Sequence, residues 1–555
     1  RGDPCMENKL NKFVRHLSEL GEANPIISIH DQGAGGTANV TKEIVSNLGG
    51  YFRLDKITKG DENISDIDLW LAEYQEQDTI IADSSRGNFL ENIAWRENID
   101  LALVGTVTET GNLEVVNSQN IKILDLPLKS VSENIPKKEY HLEKINKPYV
   151  YREVYKNLNF EEILSQVFEL VDVGSKSFLT EKVDRSVSGL IAQQSCVGPH
   201  HTPISDCGVI SSGFYGNSGA AMSIGEQPLK GIYTINMSGM VRMTFFEMLS
   251  NLVGVVISDI KNIKCSGNWM WPLKWQGCAY NLYESCREMC HISRLTGVAF
   301  DGGKDSLSMI NQTKSGEFIK SPETLVISGY VDIPDVNLIA TAEFKESGNE
   351  IFLIDLGFGY QRIGGSAFLR VMGDKSNHFH PTIEDIHIPV FIECFEKIQK
   401  LISQGIILSV HDRSDGGLIT TISEMCIAGN FGAELDIKDK SIFSFLFCEE
   451  LGFVIEVKKG CNSRVMKDFS TILKIKTYQA ESLNDRIFHL GRTVSENSFK
   501  IKKNDEIFYE NTLTNLRMMW EKTSIFMEYK QTNSDCIDSQ KEYLRNFNIP
   551  RKFNI

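Results

Sequence analysis

The 555-residue sequence is sparing with proline, 14 against 43 glycines, and contains no apolar run approaching the roughly 18 to 20 residues that a bilayer-spanning helix needs. The opening "RGDPCMENKL" has no hydrophobic stretch of the signal-peptide kind. The twelve cysteines are scattered and never form a CxxC pair, which argues against a disulfide framework or a zinc site and favours reduced, buried thiols in a cytosolic protein. Cys286 and Cys290 in "ESCREMCHIS" fall on one helix face, but two soft ligands do not complete a metal site, and core packing is expected of them. Positive charge is also in deficit. With 58 basic against 73 acidic residues the formal charge is −15, which opposes general binding to nucleic acid or anionic membrane and leaves room only for a local basic pocket.

What is present is a long repeat. "SIHDQGAGGT" (Ser28 to Thr37) and "SVHDRSDGGL" (Ser409 to Leu418) share one outline, in which a small residue and a hydrophobe precede His-Asp, three further residues and Gly-Gly. "LVGTVTETGNL" from Leu103 returns as "HLGRTVSENSF" from His489, and "LWLAEYQEQDTIIA" corresponds loosely to "LFCEELGFVIEV". Collinear landmarks at nearly constant offset indicate a duplicated domain, since chance produces isolated matches. The period is far too long for a solenoid.

The length suits about three domains of roughly 150 residues, and β-rich runs alternating with amphipathic stretches predict an α/β class. Residues 1–126 form the first copy of the repeat, and the charged 127–150 reads as a linker. Residues 151–334 form a second domain, opening on "FEEILSQVFELV", whose apolar residues recur at helical spacing, and closing on the strand "TLVISGYVDI". Residues 335–503 are the second copy, with "EIFLIDLG" a buried strand and "PVFIECFEKIQKLISQG" a helix stopped at Gly405. Residues 504–555 read as a connecting tail in which "LRMMWEKTSIFMEY" is the one plausible helix. The start without methionine and the finish in connecting sequence suggest a fragment.

Six segments carry a resemblance: "DRSVSGLIAQQSCVGPHHTPISD", "AAMSIGEQPLKG", "KCSGNWMW", "DGGKDSLSM", "HDRSDGGL" and, near the start, "HDQGAGG". In this order the sequence resembles the phosphoribosylformylglycinamidine synthases, the large amidotransferases of purine synthesis. The resemblance implies a duplicated aminoimidazole-ribonucleotide-synthetase-like fold, of which this chain holds subdomains B1, A2 and B2. It implies ATP-dependent conversion of formylglycinamide ribonucleotide to the amidine, with ammonia from a glutaminase domain. No cysteine here stands in a Gly-x-Cys-x-Gly elbow.

Carried over residue by residue, the family's magnesium positions fall on Asp206, Glu247, Asn251 and Asp412, and nucleotide contacts on Ser205 and Ser414. Hard oxygen ligands of this kind suit Mg²⁺ shared with nucleotide phosphates. Glu247 and Asn251 are four apart, so a helix presents both from one face. Arg185, Ser186, Lys304 and Ser306 are candidates for holding the phosphate of the ribonucleotide or of ATP, with interface salt bridges as the bland rival. His411 is a candidate acid-base group, against the commoner role of a hydrogen-bonded histidine at a strand end, and the same holds for His30. Gly416 and Gly417 are expected either to let backbone approach phosphate or to start a helix. Trp269 and Trp271 read as core packing. In the first copy Gly33 and Ala34 replace Ser414 and Asp415, Thr37-Ala38 stands where the family has Asn-Gly, and Ser205 stands where it usually has Ala. The family's catalytic residues lie outside this chain. The alternative is a degenerate nucleotide-binding scaffold of the same superfold, without turnover.

Overall fold

The computed structural model describes residues 3–46, 48–74, 76–132, 137, 139–140, 142–145, 158–232, 237–374, 378–438, 441–474 and 486–545. These divide into two compact units, 1–139 and 140–555. Of the expected linker 127–150, residues 133–136, 138, 141 and 146–150 fall outside the described residues, but its start does not. Lys122–Pro127 is a strand and Leu128–Ser132 a short helix whose Leu128 is buried.

The first unit contains helices α1 (Pro4–Ser18), α2 (Gly36–Ile44), α3 (Asp66–Leu71), α4 (Gly87–Glu97) and α5 (Leu128–Ser132). Its strands are β1 (Ile26–Asp31), β2 (Gly50–Arg53), β3 (Asp78–Ala82), β4 (Gly105–Val107), β5 (Asn112–Val116) and β6 (Lys122–Pro127). Asp3 caps α1 by accepting the N–H groups of Cys5 and Met6, with Pro4 at the first helical position where its missing N–H is harmless. β1 pairs antiparallel with β3, and a second sheet runs in the order β4-β2-β5-β6.

The second unit carries helices α6 (Phe160–Phe168), α7 (Ser177–Thr180), α8 (Pro228–Ile232), α9 (Met237–Asn251), α10 (Cys278–Thr296), α11 (Ala367–Val371), α12 (Ile388–Ser403), α13 (Gly417–Gly429), α14 (Ile442–Phe447), α15 (Asn462–Lys474), α16 (Leu513–Glu528) and α17 (Ser534–Arg545). One sheet comprises β7 (Ile191–Gln193), β8 (Cys207–Ser211), β9 (Gly219–Glu226), β10 (Lys264–Met270), β11 (Ala299–Ser306) and, beyond the small hairpin of β12 (Ile310–Gln312) and β13 (Phe318–Lys320), β14 (Thr324–Ile333). Its order is β11-β10-β14-β9-β8-β7. The other sheet takes β15 (Glu350–Asp355), β16 (Ile407–Asp412), β17 (Gly432–Asp436), β18 (Gly452–Val457), β19 (Ile487–Val494), β20 (Phe499–Lys503) and β21 (Glu506–Asn511), in the order β16-β18-β15-β19-β17-β20-β21. β15 is apolar along its length because both faces are covered. Phe352 and Ile354 enter the core shared with α9 and α12, while Ile351 and Leu353 enter the core shared with α6, α13 and α14.

Strand pairing reproduces the repeat. β1 with β3 matches β16 with β18, and the parallel pair β2 with β5 matches β17 with β20. The antiparallel partners β4 and β6 match β19 and β21. β15 joins β18 to β19, whereas among the described residues of the first unit no strand joins β3 to β4. Both Gly-Gly pairs lie at positive φ and open a helix, and the second glycine of each packs on backbone. A Cβ on Gly36 would sit 2.1 Å from the Ala72 carbonyl oxygen, and one on Gly417 would sit 2.7 Å from that of Leu446. Close chain packing at a helix start therefore accounts for the pair in both copies.

Two expectations need correction. Residues 504–545 are no mere tail, because β21 completes the edge of the sheet and α16 buries Leu513, Leu516, Trp520 and Ile525. The polar character that made this stretch look like a connector comes from a buried polar seam. Ser177 Oγ bonds Glu521 and Ser524, and the Thr523 hydroxyl donates to the Glu169 carbonyl. Cys286 and Cys290 are exposed, since the inward stripe of α10 is taken by Cys278, Ser285, Ile292 and Thr296. Trp271 is fully buried as expected, its indole donating to the Cys278 carbonyl at 2.8 Å.

One half-buried base gives the unit an acid-sensitive joint. His380 abuts Gly239 of α9, where a Cβ would lie 1.8 Å from its Cε1, and its Nδ1 is 2.7 Å from the Pro381 carbonyl oxygen. Burial, helped by the charges of Arg362 and Lys230, pushes its pKa down to about 4. The unfolded imidazole takes up a proton near pH 6.5 while the folded one resists. The corresponding stability is present above that pH and is lost as pH falls towards 4, by about 3 kcal/mol in all. The stability advantage of the wild-type chain over His380→Asn, measured by urea unfolding, is expected to shrink by that amount between pH 7 and pH 4.

Candidate active site: a carboxylate-lined cavity

A cavity of about 430 Å³ lies in the second unit, beside the ends of β8, β9 and β16 and helices α9 and α13. Asp206, which immediately precedes β8, and Asp412, the last residue of β16, both line it. So do Glu247 and Asn251 on α9, together with Ser205 and Ser414. The structure thus brings all six residues to the lining of one cavity. α9 lies on its sheet and is buried along most of its length, which leaves Glu247 and Asn251 to face the opening.

The site is held by directed bonds. Glu247 accepts the Glu226 N–H at 2.6 Å and the Gln227 side-chain amide at 2.7 Å. Asn251 donates through Nδ2 to the Ile224 carbonyl at 2.8 Å, which commits its nitrogen. The Ser205 hydroxyl donates to the Cys207 carbonyl at 2.8 Å. His411 sits among the acids, with Nδ1 2.9 Å from Asp206 Oδ1 and 3.2 Å from Asp412 Oδ1, and Nε2 3.2 Å from Glu424 Oε2. The Nδ1 contacts lack the alignment of a hydrogen bond and are ion-pair contacts.

Electrostatically the cavity is short of positive charge. Burial pushes the Asp206 carboxyl up, against the pull of His411. Burial and then the charges of Asp415 and Asp412 hold Glu247 well above the usual carboxylate range. Asp415 rises to about 7 through burial and the neighbouring Glu449, with Lys230 opposing. Burial works against an imidazolium at His411, but Asp206 and the other acids outweigh it and its pKa stands well above the ordinary value. Carboxylates so raised are those that a divalent cation would return to their ionised form, and the donor atoms of Asp206, His411 and Asp412 lie within 4.8 Å of one another. Glu247 lies outside that close group and, like Asn251, shares only the cavity lining with it.

Not every sequence candidate arrives here. Arg185 and Lys304 are outside the cavity lining: Arg185 donates to the His201 carbonyl at 3.2 Å, and Lys304, exposed on edge strand β11, donates to Ser306 Oγ at 2.8 Å. The Ser186 hydroxyl is engaged by the Gln194 amide. His30, in the first unit, places Nε2 3.0 Å from Glu43 Oε2, the same partnership His411 makes with Glu424. Sequence reasoning missed Glu424, Trp520, Lys176, Asp172 and Glu226, which also line the cavity. Only Glu424 had a sequence signal, since it stands thirteen residues after His411 as Glu43 does after His30.

The duplicated layout and the acid-lined cavity define an α/β protein of the AIR-synthase-related class. The family model described as AIR synthase related protein, C-terminal domain, matches residues 1–117 and again 346–470, and the FGAR-AT PurM_N-like domain matches 175–332. The curated relatives named phosphoribosylformylglycinamidine synthase include those of Dictyostelium discoideum, 40 % identical over 98 % of this chain, Drosophila melanogaster, 37 % over 99 %, and Homo sapiens, 33 % over 98 %. Over nearly its whole length the chain is similar to these phosphoribosylformylglycinamidine synthases. It spans 42 %, 42 % and 41 % of those relatives' own lengths. Among solved structures, "T. maritima PurL complexed with ATP" shares the fold with a TM-score of 0.56 at 16 % identity, over 89 % of this chain and 67 % of that one. "T. maritima PurL complexed with FGAR" gives the same score and identity over 89 % and 65 %. No helix among the described residues is long and apolar enough to cross a membrane.

Proposed function

We propose that this chain is the synthetase part of a cytoplasmic enzyme that uses ATP and glutamine-derived ammonia to convert formylglycinamide ribonucleotide to formylglycinamidine ribonucleotide. The observation that carries the reading is the gathering of Asp206, Glu247, Asn251 and Asp412 around one cavity, within a chain whose relatives bear that enzyme's name. Structural neighbours with ATP and with FGAR in their titles support the two substrates.

Within this reading the four oxygen ligands hold a magnesium ion, which when bound offsets the charge of nucleotide phosphates. Ser414 offers a hydroxyl to the nucleotide, and Ser205 offers backbone or hydroxyl. His411 neutralises Asp206 and Asp412 while the cation is away. A phosphate held by Arg185 or Lys304 sits outside this cavity. The full-length protein, supplied with formylglycinamide ribonucleotide, ATP, Mg²⁺ and ammonium, is expected to release ADP only when the ribonucleotide is present. A nucleotide-binding scaffold without turnover gives no such release. Asp412→Asn is expected to weaken Mg²⁺–nucleotide binding roughly tenfold in titration calorimetry, about 1.4 kcal/mol. Unchanged affinity removes Asp412 from the ligand set.

A further inference from the structure

The cavity's far wall is built by a helix that sequence reading assigned to a connector. Trp520 of α16 touches the site twice. Its indole N–H donates to Glu424 Oε1 at 3.1 Å, and its backbone carbonyl accepts the Ser175 N–H at 3.0 Å. Ser175 belongs to the segment whose Asp172, Val173, Gly174 and Lys176 also line the cavity. A Cβ on Gly174 would come 2.3 Å from the Phe168 carbonyl oxygen and 3.0 Å from that of Trp520, so the segment is pressed against α16 with no room for a side chain.

Glu424 is the hinge of this arrangement. One oxygen holds the Trp520 indole and the other faces His411 Nε2, while the opposite edge of the imidazole faces Asp206 and Asp412. An unbroken series of polar contacts therefore runs from α16 to two of the acids that receive the cation. The first unit provides an internal comparison. There His30 and Glu43 make the same contact, but both are about 40 % exposed, and among the described residues of that unit no tryptophan hydrogen-bonds Glu43. The histidine–glutamate pair belongs to the duplicated fold, whereas burial and the indole are particular to the second copy, where the candidate metal ligands are complete.

We propose that Glu424 and Trp520 are positioning residues, which hold His411 against Asp206 and Asp412 and so make α16 responsive to cation and nucleotide arriving in the cavity. The inference rests on the magnesium–nucleotide reading above and adds a role for two residues it does not use. The physical basis is competition for the same atoms. His411 Nδ1 occupies the Oδ1 side of both aspartates, so a divalent ion drawing on those oxygens displaces the ring. Displacement shifts the Glu424 carboxylate, and the indole bonded to its second oxygen follows. Groups one step behind metal ligands commonly change metal affinity 10- to 100-fold when altered, because they fix ligand orientation.

The test uses the full-length protein with Mg²⁺–ADP as the probe. Calorimetry of Glu424→Gln and Trp520→Phe is expected to show affinity rising roughly tenfold, because the ring that competes for the aspartates is held less firmly, with Glu43→Gln, the equivalent change in the first copy, unaltered. Tryptophan residues labelled with 5-fluorotryptophan in the otherwise unaltered protein are followed by ¹⁹F NMR, the Trp520 resonance being the one missing from Trp520→Phe. That resonance is expected to move on Mg²⁺–ADP addition, a response a purely structural tryptophan would not give, and the measurement needs no folded variant at position 424. A stationary Trp520 resonance together with unchanged affinities in both variants overturns the proposal if Asp412→Asn still weakens binding. If Asp412→Asn is also without effect, the metal reading has failed and the positioning role falls with it.

Discussion

Lys230→Met is expected to destabilise the second unit by about 3 to 5 kcal/mol, the range for removing one partner from a buried ion pair. Lys230 is fully buried, paired with Glu449, 3.8 Å from Asp415 Oδ1 and within 3.3 Å of the Gly365 carbonyl. Burial disfavours its charge, yet the acids around it, Glu449 first, raise its pKa overall. Glu449 in turn accepts two backbone N–H groups at 2.9 Å, from Ala367 at the start of α11 and from Gly416 in the glycine pair. Methionine fills the lysine's volume but leaves Glu449 and Asp415 facing each other as like charges in a low-dielectric site. The loss should appear as a lower urea midpoint with unchanged slope. In a double-mutant cycle, Lys230→Met with Glu449→Gln should recover part of it, because the orphaned charge is then removed. A single-variant loss below about 1 kcal/mol would show that water reaches the pair, since exposed pairs contribute no more than that.

Where the sequence was legible, a local pattern coincided with a demand of the fold. The apolar spacing from Phe160 became the buried face of α6, and α12 ends at Ser403 with Gly405 at positive φ just beyond. The His-Asp and Gly-Gly outline was readable because each copy needs a strand end followed by a tightly packed helix start. The ligand residues were readable because the resemblance supplied their positions. What failed to show were contacts between residues far apart in the chain: Trp520 with Glu424, Lys230 with Glu449, Arg362 with Glu450. A buried charge looks the same in a sequence as a solvated one, so the polar seam under α16 passed for a connector. Cys286 failed for the opposite reason, since thiols favour interiors on average but α10 had enough other residues to fill its inward face.

Glu456→Ala should be the more damaging of the two single changes, at about 4 kcal/mol or more. Glu456, the penultimate residue of β18, lies between β15 and β16 and is wholly buried. Its two oxygens accept four hydrogen bonds: Oε2 from the Lys345 N–H at 2.8 Å and the Ser409 hydroxyl at 2.6 Å, Oε1 from the Glu346 N–H at 3.1 Å and the Asn349 amide at 2.7 Å. The carboxylate thereby ties down the turn that leads into β15, the strand joining the halves of the seven-stranded sheet. Alanine removes every acceptor at once, and each buried donor left without one costs about 1 to 3 kcal/mol unless water enters the void. Glutamine should lie between, because its oxygen keeps one pair of bonds while its NH₂ meets the donors of the other. The first copy indicates how local this requirement is. Ile81 faces Ser28 across β1 and β3 in the register in which Glu456 faces Ser409, so the same place in the repeat carries an apolar side chain. Urea unfolding of the three variants should therefore rank wild type above Glu456→Gln and Glu456→Ala last, and an alanine variant as stable as the glutamine one would mean that water replaces the carboxylate at little expense.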